Sequence, residues 1–483
     1  IDLITEKQVP AEQILISTFT DKAAKELVTR ISNRLLEQDI RVKVNDRYIG
    51  TLHSIFLKLL KDHREYTRLP KSFRLFDSFD QVFFIYQHMR QFEDIDGITE
   101  LLGPHTTPRW RKANLITELI SKVAEELIDP ADLLNHHDVK IQLLGQVYRV
   151  YERLLNELKA IDFTHIQVET HRLLQEYPRV LQKLQEQIRY MMIDEYQDTN
   201  TIQEQIILML AGERRHLCVV GDADQALYRF RGATVRNILE FSRHFESCTT
   251  IKLTENFRSP PRIIEFCNQW MDECEWTDGS GSYRHEKTIQ PRDKTPQVGP
   301  AVLRIGRDGS ADNWHEALYD FITALKDAGT LQDYNQIAFL FRSVKHHSVL
   351  ELVDFFESRG IQVFSPRSSL FFLRPEIRLM LGAMITIFPN LDEELKWNRN
   401  ASLQIWEFYR DCAHEFAGAI EENRQEHDAL RKWVGQKIRE HADMQKAADY
   451  AFSGLFYQLL NFSMFSRYLD VDLNASVIDT RPA

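Results

Sequence analysis

The sequence predicts an α/β protein in which parallel sheets are interrupted by large helical insertions. Three observations predict it. First, short apolar runs at Gln13 to Ser17, Tyr190 to Ile193 and Leu217 to Val220 alternate with segments of helical periodicity, the pattern of a parallel sheet. Second, polar, acidic or amide residues follow each run, as at strand ends that face a ligand crevice. Third, residues from about Ser54 to Glu157 are rich in Leu, Gln, Glu and Arg. They read as almost wholly helical, and so as an insertion between the first strand and the later ones.

Composition sets the outer bounds. The chain has 483 residues, 43% hydrophobic and 27% charged, which suits a globular protein of two to four domains. No run approaches the roughly 18 uninterrupted apolar residues of a membrane span, and no basic-then-apolar leader opens the chain. The expectation is a cytoplasmic protein with no membrane partner. The net charge of −11 argues against a general basic coat for nucleic acid but permits a local groove of Lys and Arg. Cys218, Cys248, Cys267, Cys274 and Cys412 form no CxxC pair, so zinc and iron–sulfur readings are weak and a reduced setting is expected. The chain opens at Ile1 in what reads as the middle of a helix, and a truncated start is expected.

The first strand, Gln13 to Ser17, leads through Thr18-Phe19 into a helix over Asp21 to Leu36, with Ala23, Ala24, Leu27, Ile31 and Leu35 in register. Thr20 or Asp21 is its N-cap. A helix N-terminus binds phosphate, so this junction can grip a DNA backbone; an ordinary strand–helix junction reads the same way. Gly50-Thr51-Leu52-His53-Ser54 follows, in which a lone His53 reads first as a structural histidine.

The strongest signal is Met191-Met192-Ile193-Asp194-Glu195-Tyr196-Gln197-Asp198. An apolar strand ends in three acidic residues and an amide within five positions. Unpaired carboxylates at a buried strand tip are costly, and Mg²⁺ is a natural partner because it takes one or two carboxylates plus phosphate oxygens. Asp194 then holds the metal and Glu195 polarises an attacking water. The alternative is an acidic turn capping the next helix.

A helix over Thr201 to Leu210 separates this strand from the next, which ends in Gly221-Asp222-Ala223-Asp224-Gln225. Gln225 is placed to orient a water or touch a terminal phosphate. Tyr228-Arg229-Phe230-Arg231 interleaves rings with guanidinium groups, which suits stacking on unpaired bases; taken singly, the rings read as core. In Glu255-Asn256-Phe257-Arg258-Ser259, Arg258 can meet a γ-phosphate with the Phe257 ring against a base, or can form a surface ion pair.

Thr277 to Pro300, rich in Gly, Ser, Pro and charge, reads as a loop. A second α/β unit is expected as a strand over Gln336 to Phe341, a helix over Ser348 to Ser358, a turn at Gly360 and a strand over Ile361 to Phe364. From about Leu391 the chain again reads as helical and polar.

The stretches around Thr18–Ala24, Gly50–Ser54, Ile161–Phe163, Ile193–Asn200, Val220–Ala233 and Glu255–Ser259 together resemble the UvrD/Rep-type DNA helicases of superfamily 1, in order and spacing. The resemblance covers roughly the first 390 residues. It implies RecA-like P-loop NTPase sheets: a first motor domain from 1–52 and 190–256, its helical insertion at 53–189, the first part of a second motor at 257–390, and an incomplete insertion at 391–483. It implies an ATP-dependent, 3′-to-5′ motor on single-stranded DNA that separates duplex DNA, with ATP and Mg²⁺ as cofactors. Protein partners from repair, recombination or defence are a further expectation from this resemblance. By position, Asp194 is the Mg²⁺ carboxylate and Glu195 the hydrolytic base. Gln225 and Arg258 contact the γ-phosphate, and Phe257 stacks near the adenine. Phe19, Thr20, His53, Tyr228, Phe230 and Arg231 lie along the DNA path or couple it to ATP. Phe257 and Phe230 stand where the family often has Tyr and Trp.

No GxxxxGK[ST] loop occurs, and no Gly is followed by Lys. In the family that loop lies just upstream of the first strand, so it is expected before Ile1, and the late motor motifs beyond Ala483. The chain alone is therefore expected not to turn over ATP. Two other classes fit the same motifs: a DNA-binding scaffold that lost its nucleotide loop, and the motor subunit of a helicase–nuclease.

Overall fold

A computed structural model describes residues 1–40, 48–213, 216–227, 234–278, 281–292, 302–303, 314–344, 346–364, 374–388, 402–441 and 452–466. The chain forms two compact units, residues 1–302 and 303–483.

The first unit is built on a four-stranded sheet, which the apolar runs nucleate. In chain order, β1 is Ile14–Ser17, β2 is Ile49–Gly50, β3 is Arg74–Phe76, β4 is Ala160–Asp162, β5 is Tyr190–Ile193 and β6 is Leu217–Val219. The sheet order is β2-β1-β5-β6. Every pairing in it is parallel, with Ser17 opposite both Gly50 and Ile193, and Ile193 opposite Val219. All four C-terminal tips therefore lie on one edge. Leu15, Met191 and Ile193 are buried and pack with Phe56, Leu59 and Leu60 from one helix and Ile202, Ile206 and Ile207 from another. Those helices, Leu52–Asp62 and Thr201–Ala211, start where their caps dictate: Thr51 accepts from the Ser54 amide, and Asn200 forms a capping box with Gln203.

The stretch read as an insertion is helical, with a core of its own around Phe76, Phe92, Ile116, Ile120, Val147 and Tyr151. Two short strands, β3 and β4, interrupt it and pair in parallel. Lys159, in the left-handed region at φ +53°, reverses the chain between the long helix Val139–Leu158 and β4.

Within Thr277 to Pro300, the described residues 277–278 and 281–292 are more ordered than a loop. β7 (Glu255–Asn256) is followed by a small hairpin of β8 (Thr277–Asp278) and β9 (Gly281–Ser282). Then β10 (Gln290–Pro291) pairs in parallel with β7. Composition favours a turn here, but backbone pairing of β10 to β7 returns the chain to the unit.

In the second unit, helices Trp314–Asp327 and His347–Glu357 share a core of Ile322, Leu331, Leu352 and Phe356. Helices Pro375–Ile387 and Ser402–Glu422 pack at Gly382, where an added Cβ would sit 2.7 Å from that of Phe416. The expected strands Gln336–Phe341 and Ile361–Phe364 do not form. Tyr334–Gln336 is a 3₁₀ turn capped by Asp333, and residues 337–341 and 361–364 run without a sheet partner. A parallel strand draws its hydrogen bonds from neighbours, and none pairs with these segments among the described residues. Leu340 and Phe364 are accordingly 94% and 86% exposed.

Candidate active site

The tip of β5 begins with Asp194, whose amide donates to the Ser17 carbonyl at 2.9 Å and extends the ladder one residue past the strand. Its carboxylate is exposed and accepts from the Glu195 amide at 3.0 Å. Glu195 sits in the left-handed region at φ +54°, which costs a side chain about 1–2 kcal/mol. This kink turns the chain into the 3₁₀ turn Tyr196–Asp198. Tyr196 is fully buried, donates its hydroxyl to Glu204 at 3.1 Å, and has its amide on the Val220 carbonyl at 2.9 Å. The strained residue is thus held by its neighbours.

Gln197, only 1% exposed, joins the two strand tips. Its Nε2 donates to Glu195 Oε2 at 2.6 Å, and its Oε1 accepts from the Asp222 amide at 2.9 Å. Gly221 makes that approach possible: a Cβ there would stand 2.5 Å from Gln197 Oε1 and 2.6 Å from Ile238 Cδ1. Asp222 in turn accepts from the Asp224 amide at 3.0 Å and from Gln225 Nε2 at 2.9 Å. Glu195, Gln197, Asp222 and Gln225 form one continuous hydrogen-bonded chain across the β5 and β6 tips.

Two carboxyls in the cluster are perturbed. Burial first, and the Glu195 charge second, push Asp198 up to about 6. Its Oδ1 is buried with no hydrogen-bond partner among the described residues. Burial also pushes Asp222 up, but hydrogen bonds from Lys287 and Gln225 outweigh it and hold the carboxyl below its ordinary value. Lys287 bonds Asp222 and lies 3.2 Å from Asp224, and Arg284 Nε lies 2.9 Å from Asp224.

The donor set fits Mg²⁺. Asp194 presents an exposed carboxylate with acceptor capacity to spare, and this ion takes one or two carboxylates together with waters and substrate phosphates. Among the described residues no three His, Cys, Asp or Glu side chains converge as a cage.

Phe257 and Arg258 lie past the end of β7. Asn256 Oδ1 accepts from the Arg258 and Ser259 amides at 2.9 and 2.8 Å, a turn that leaves Phe257 and Arg258 exposed. The Phe257 ring is 76% exposed, with the Arg292 guanidinium 5.7 Å from its centroid. The Arg258 guanidinium has no hydrogen bond or ion pair among the described residues. These two side chains are not joined to the Glu195–Gln225 chain.

Of the residues assigned to DNA, Phe19 is 39% exposed beyond the β1 tip. Thr20 is the N-cap, accepting from the Ala23 amide at 3.1 Å. Beside it lies a cleft of about 460 Å³ lined by Asp21, Lys25, Thr29, Gly50 and Ser54. The His53 ring meets Phe163 edge-on at 5.8 Å, and its Nε2 lies 3.1 Å from Gln167 Nε2, which marks it as the acceptor. Burial pushes His53 down to about 4, so it is neutral at pH 7. Gln167 Oε1 accepts from Asn200 at 3.1 Å, which ties His53 to the end of the acidic motif. Tyr228, Phe230 and Arg231 lie outside the described residues.

Gln197, Gln167, Lys287 and Arg284 were given no role by the sequence reading. Gln197 carried a signal, an amide inside the acidic tip. Lys287 and Arg284 carried none, because they sit in a segment whose composition reads as loop.

Residues 1–246 match the family model of the UvrD/REP helicase N-terminal domain, and residues 251–445 that of the UvrD-like helicase C-terminal domain. The chain is 28% identical over 407 residues to the ATP-dependent DNA helicase PcrA of Staphylococcus epidermidis, covering 82% of this chain and 50% of the relative. It is 27% identical over 407 residues to the protein of the same name from Staphylococcus aureus, with the same coverage. The chain thus spans about half the length of the curated relatives it matches.

Proposed function

We infer a function from the fact that the chain belongs to the UvrD/REP helicase family: it serves an ATP-dependent motor that moves 3′ to 5′ on single-stranded DNA and separates duplex DNA. The hydrogen-bonded chain Glu195–Gln197–Asp222–Gln225 carries this reading. It fixes a carboxylate and an exposed amide on adjacent tips of one parallel sheet, where open α/β sheets bind ligands.

In the proposed chemistry Glu195, oriented by Gln197, aligns a water and takes its proton as general base. Gln225 faces the terminal phosphate. Asp194 would hold Mg²⁺, which when bound would supply neutralisation of phosphate charge. The exposed Arg258 reaches the γ-phosphate as an arginine finger and the exposed Phe257 ring stacks on the adenine. Phe19, Thr20 and His53 line the DNA path together with Tyr228, Phe230 and Arg231. Because His53 is neutral at pH 7, it acts there by shape and hydrogen bonding and not as a counter-charge to phosphate. A cytoplasmic setting and partners from repair, recombination or defence belong to the same reading. The domain limits do as well: motor segments 1–52, 190–256 and 257–390, with insertions 53–189 and 391–483.

The test is unwinding of tailed duplexes by the full-length polypeptide that carries this chain. Strand separation from a 3′ single-stranded tail, dependent on ATP and Mg²⁺, is expected. Separation from a 5′ tail only, or ATP hydrolysis indifferent to single-stranded DNA, overturns the reading.

A further inference from the structure

We propose that Lys287 and Arg284 are positioning residues that latch the Gln225 turn to the ribbon carrying Phe257 and Arg258, so that the two proposed nucleotide-contacting segments move as one. The proposal rests on the nucleotide-site reading above and adds to it the physical link between the two segments.

The turn Asp222–Gln225 carries two acidic side chains. Both face cations from a segment about sixty residues further along the chain. Lys287 Nζ bonds Asp222 and lies 3.2 Å from Asp224; Arg284 Nε lies 2.9 Å from Asp224. The cations are largely enclosed, with side-chain exposures of 15% for Lys287 and 9% for Arg284. Removing one partner of an enclosed pair strands the other charge, which makes the link stiff. Arg284 is itself braced, with Nη2 on the Lys287 carbonyl at 3.3 Å and its guanidinium 5.9 Å from the Trp276 ring centroid.

The other end of the latch is backbone. Three residues after Lys287, β10 pairs with β7, Gln290 opposite Glu255 and Pro291 opposite Asn256. Asn256 then holds the turn that presents Phe257 and Arg258. Lys252 adds a second tie, donating to the Glu286 carbonyl at 2.7 Å. Asp222 also accepts from Gln225 Nε2. Lys287 holds Asp222 Oδ1 while Gln225 Nε2 donates to Oδ2, so Lys287 orients the carboxylate that sets the amide of Gln225.

The experiment has two arms. In the 483-residue chain, hydrogen–deuterium exchange is compared for wild type, Lys287→Met and Lys287→Arg. Faster exchange in both 222–227 and 255–258 is expected for Lys287→Met, with protection restored in Lys287→Arg. Unchanged exchange in either segment overturns the latch, whatever the enzyme does. In the full-length polypeptide, Lys287→Met is expected to lower kcat for DNA-stimulated ATP hydrolysis by about 10- to 100-fold, the cost of misplacing a group near the chemistry. KM for ATP should change by a smaller factor than kcat, the split expected where the lost positioning acts mainly in the transition state. Lys287→Arg restores the rate, and Asp222→Asn combined with Lys287→Met is no worse than the poorer single variant. A wild-type rate in Lys287→Met, or full additivity with Asp222→Asn, overturns the proposal. A wild-type protein with no DNA-stimulated hydrolysis sinks the functional reading instead and leaves the exchange arm to decide the latch.

Discussion

Asp194, Glu195 and Gln225 were legible in the sequence because each stands just past an apolar run, and the run fixes both strand and direction. Gln197 was visible only as an amide among acids; its role came from the Gly221 approach, which no spacing announces. Replacing Gln197 with Leu removes the brace on Glu195 and strands the Asp222 amide. DNA-stimulated ATP hydrolysis by the full-length polypeptide should then fall about 10- to 100-fold, and Gln197→Glu, which cannot donate to Glu195, should fail likewise. A near-normal rate in either variant would contradict the brace. His53 makes a pH-dependent contribution whose sign follows from its buried ring. Its folded value, about 4, lies below the ordinary 6.5. Its contribution to stability is present above about pH 6.5 and is lost as pH falls towards 4. His53→Gln should flatten that part of the stability curve in denaturant titrations from pH 7 to 4. An unchanged slope would mean that the imidazole takes up its proton without cost.

At the scale of elements, β1, β5, β6 and the helices that follow β1 and β5 were readable because propensity, caps and apolar pattern agree. Asp162 shows where legibility stopped. Its stretch stood out as part of a family pattern, and the structure shows a carboxylate that is 1% exposed and knits three elements together. It accepts from Tyr151 at 2.5 Å, from Gln81 at 3.2 Å, and from the His165 amide at 2.7 Å, which caps the helix Phe163–Glu176. Burial pushes this carboxyl up, but the His165 charge and these hydrogen bonds outweigh it and hold it below its ordinary value. Asp162→Ala leaves His165 buried without its counter-ion and should cost about 3–5 kcal/mol in urea unfolding. A loss under about 1 kcal/mol would show that the cluster is not a structural anchor. The strands expected at Gln336–Phe341 and Ile361–Phe364 failed for the opposite reason. Apolar runs alone do not supply the neighbours a parallel strand needs, and that need is invisible in a local window. The segment 277–291 escaped in the same way, since the two residues of β10 and the two cations act through partners distant in sequence.

At the scale of the molecule, the sequence separated the strand tips from the long helical stretch well, because burial and chain direction are set locally. It did not reveal that residues 257–302 group with the first compact unit, since that depends on β7, β10 and the ion pairs of Lys287 and Arg284. No GxxxxGK[ST] loop occurs in the 483 residues, and phosphate binding needs its amides and Lys. The isolated chain is expected to show no ATP hydrolysis stimulated by single-stranded DNA, whereas the full-length polypeptide should; a stimulated rate from the chain alone would remove that loop from the account. The most direct test is the steady-state rate of single-strand-stimulated ATP hydrolysis in the full-length polypeptide bearing Glu195→Gln. A fall of about 100-fold or more is expected for loss of the general base, with ATP still bound; hydrolysis at the wild-type rate would contradict the assignment of Glu195 and the proposed chemistry built on it.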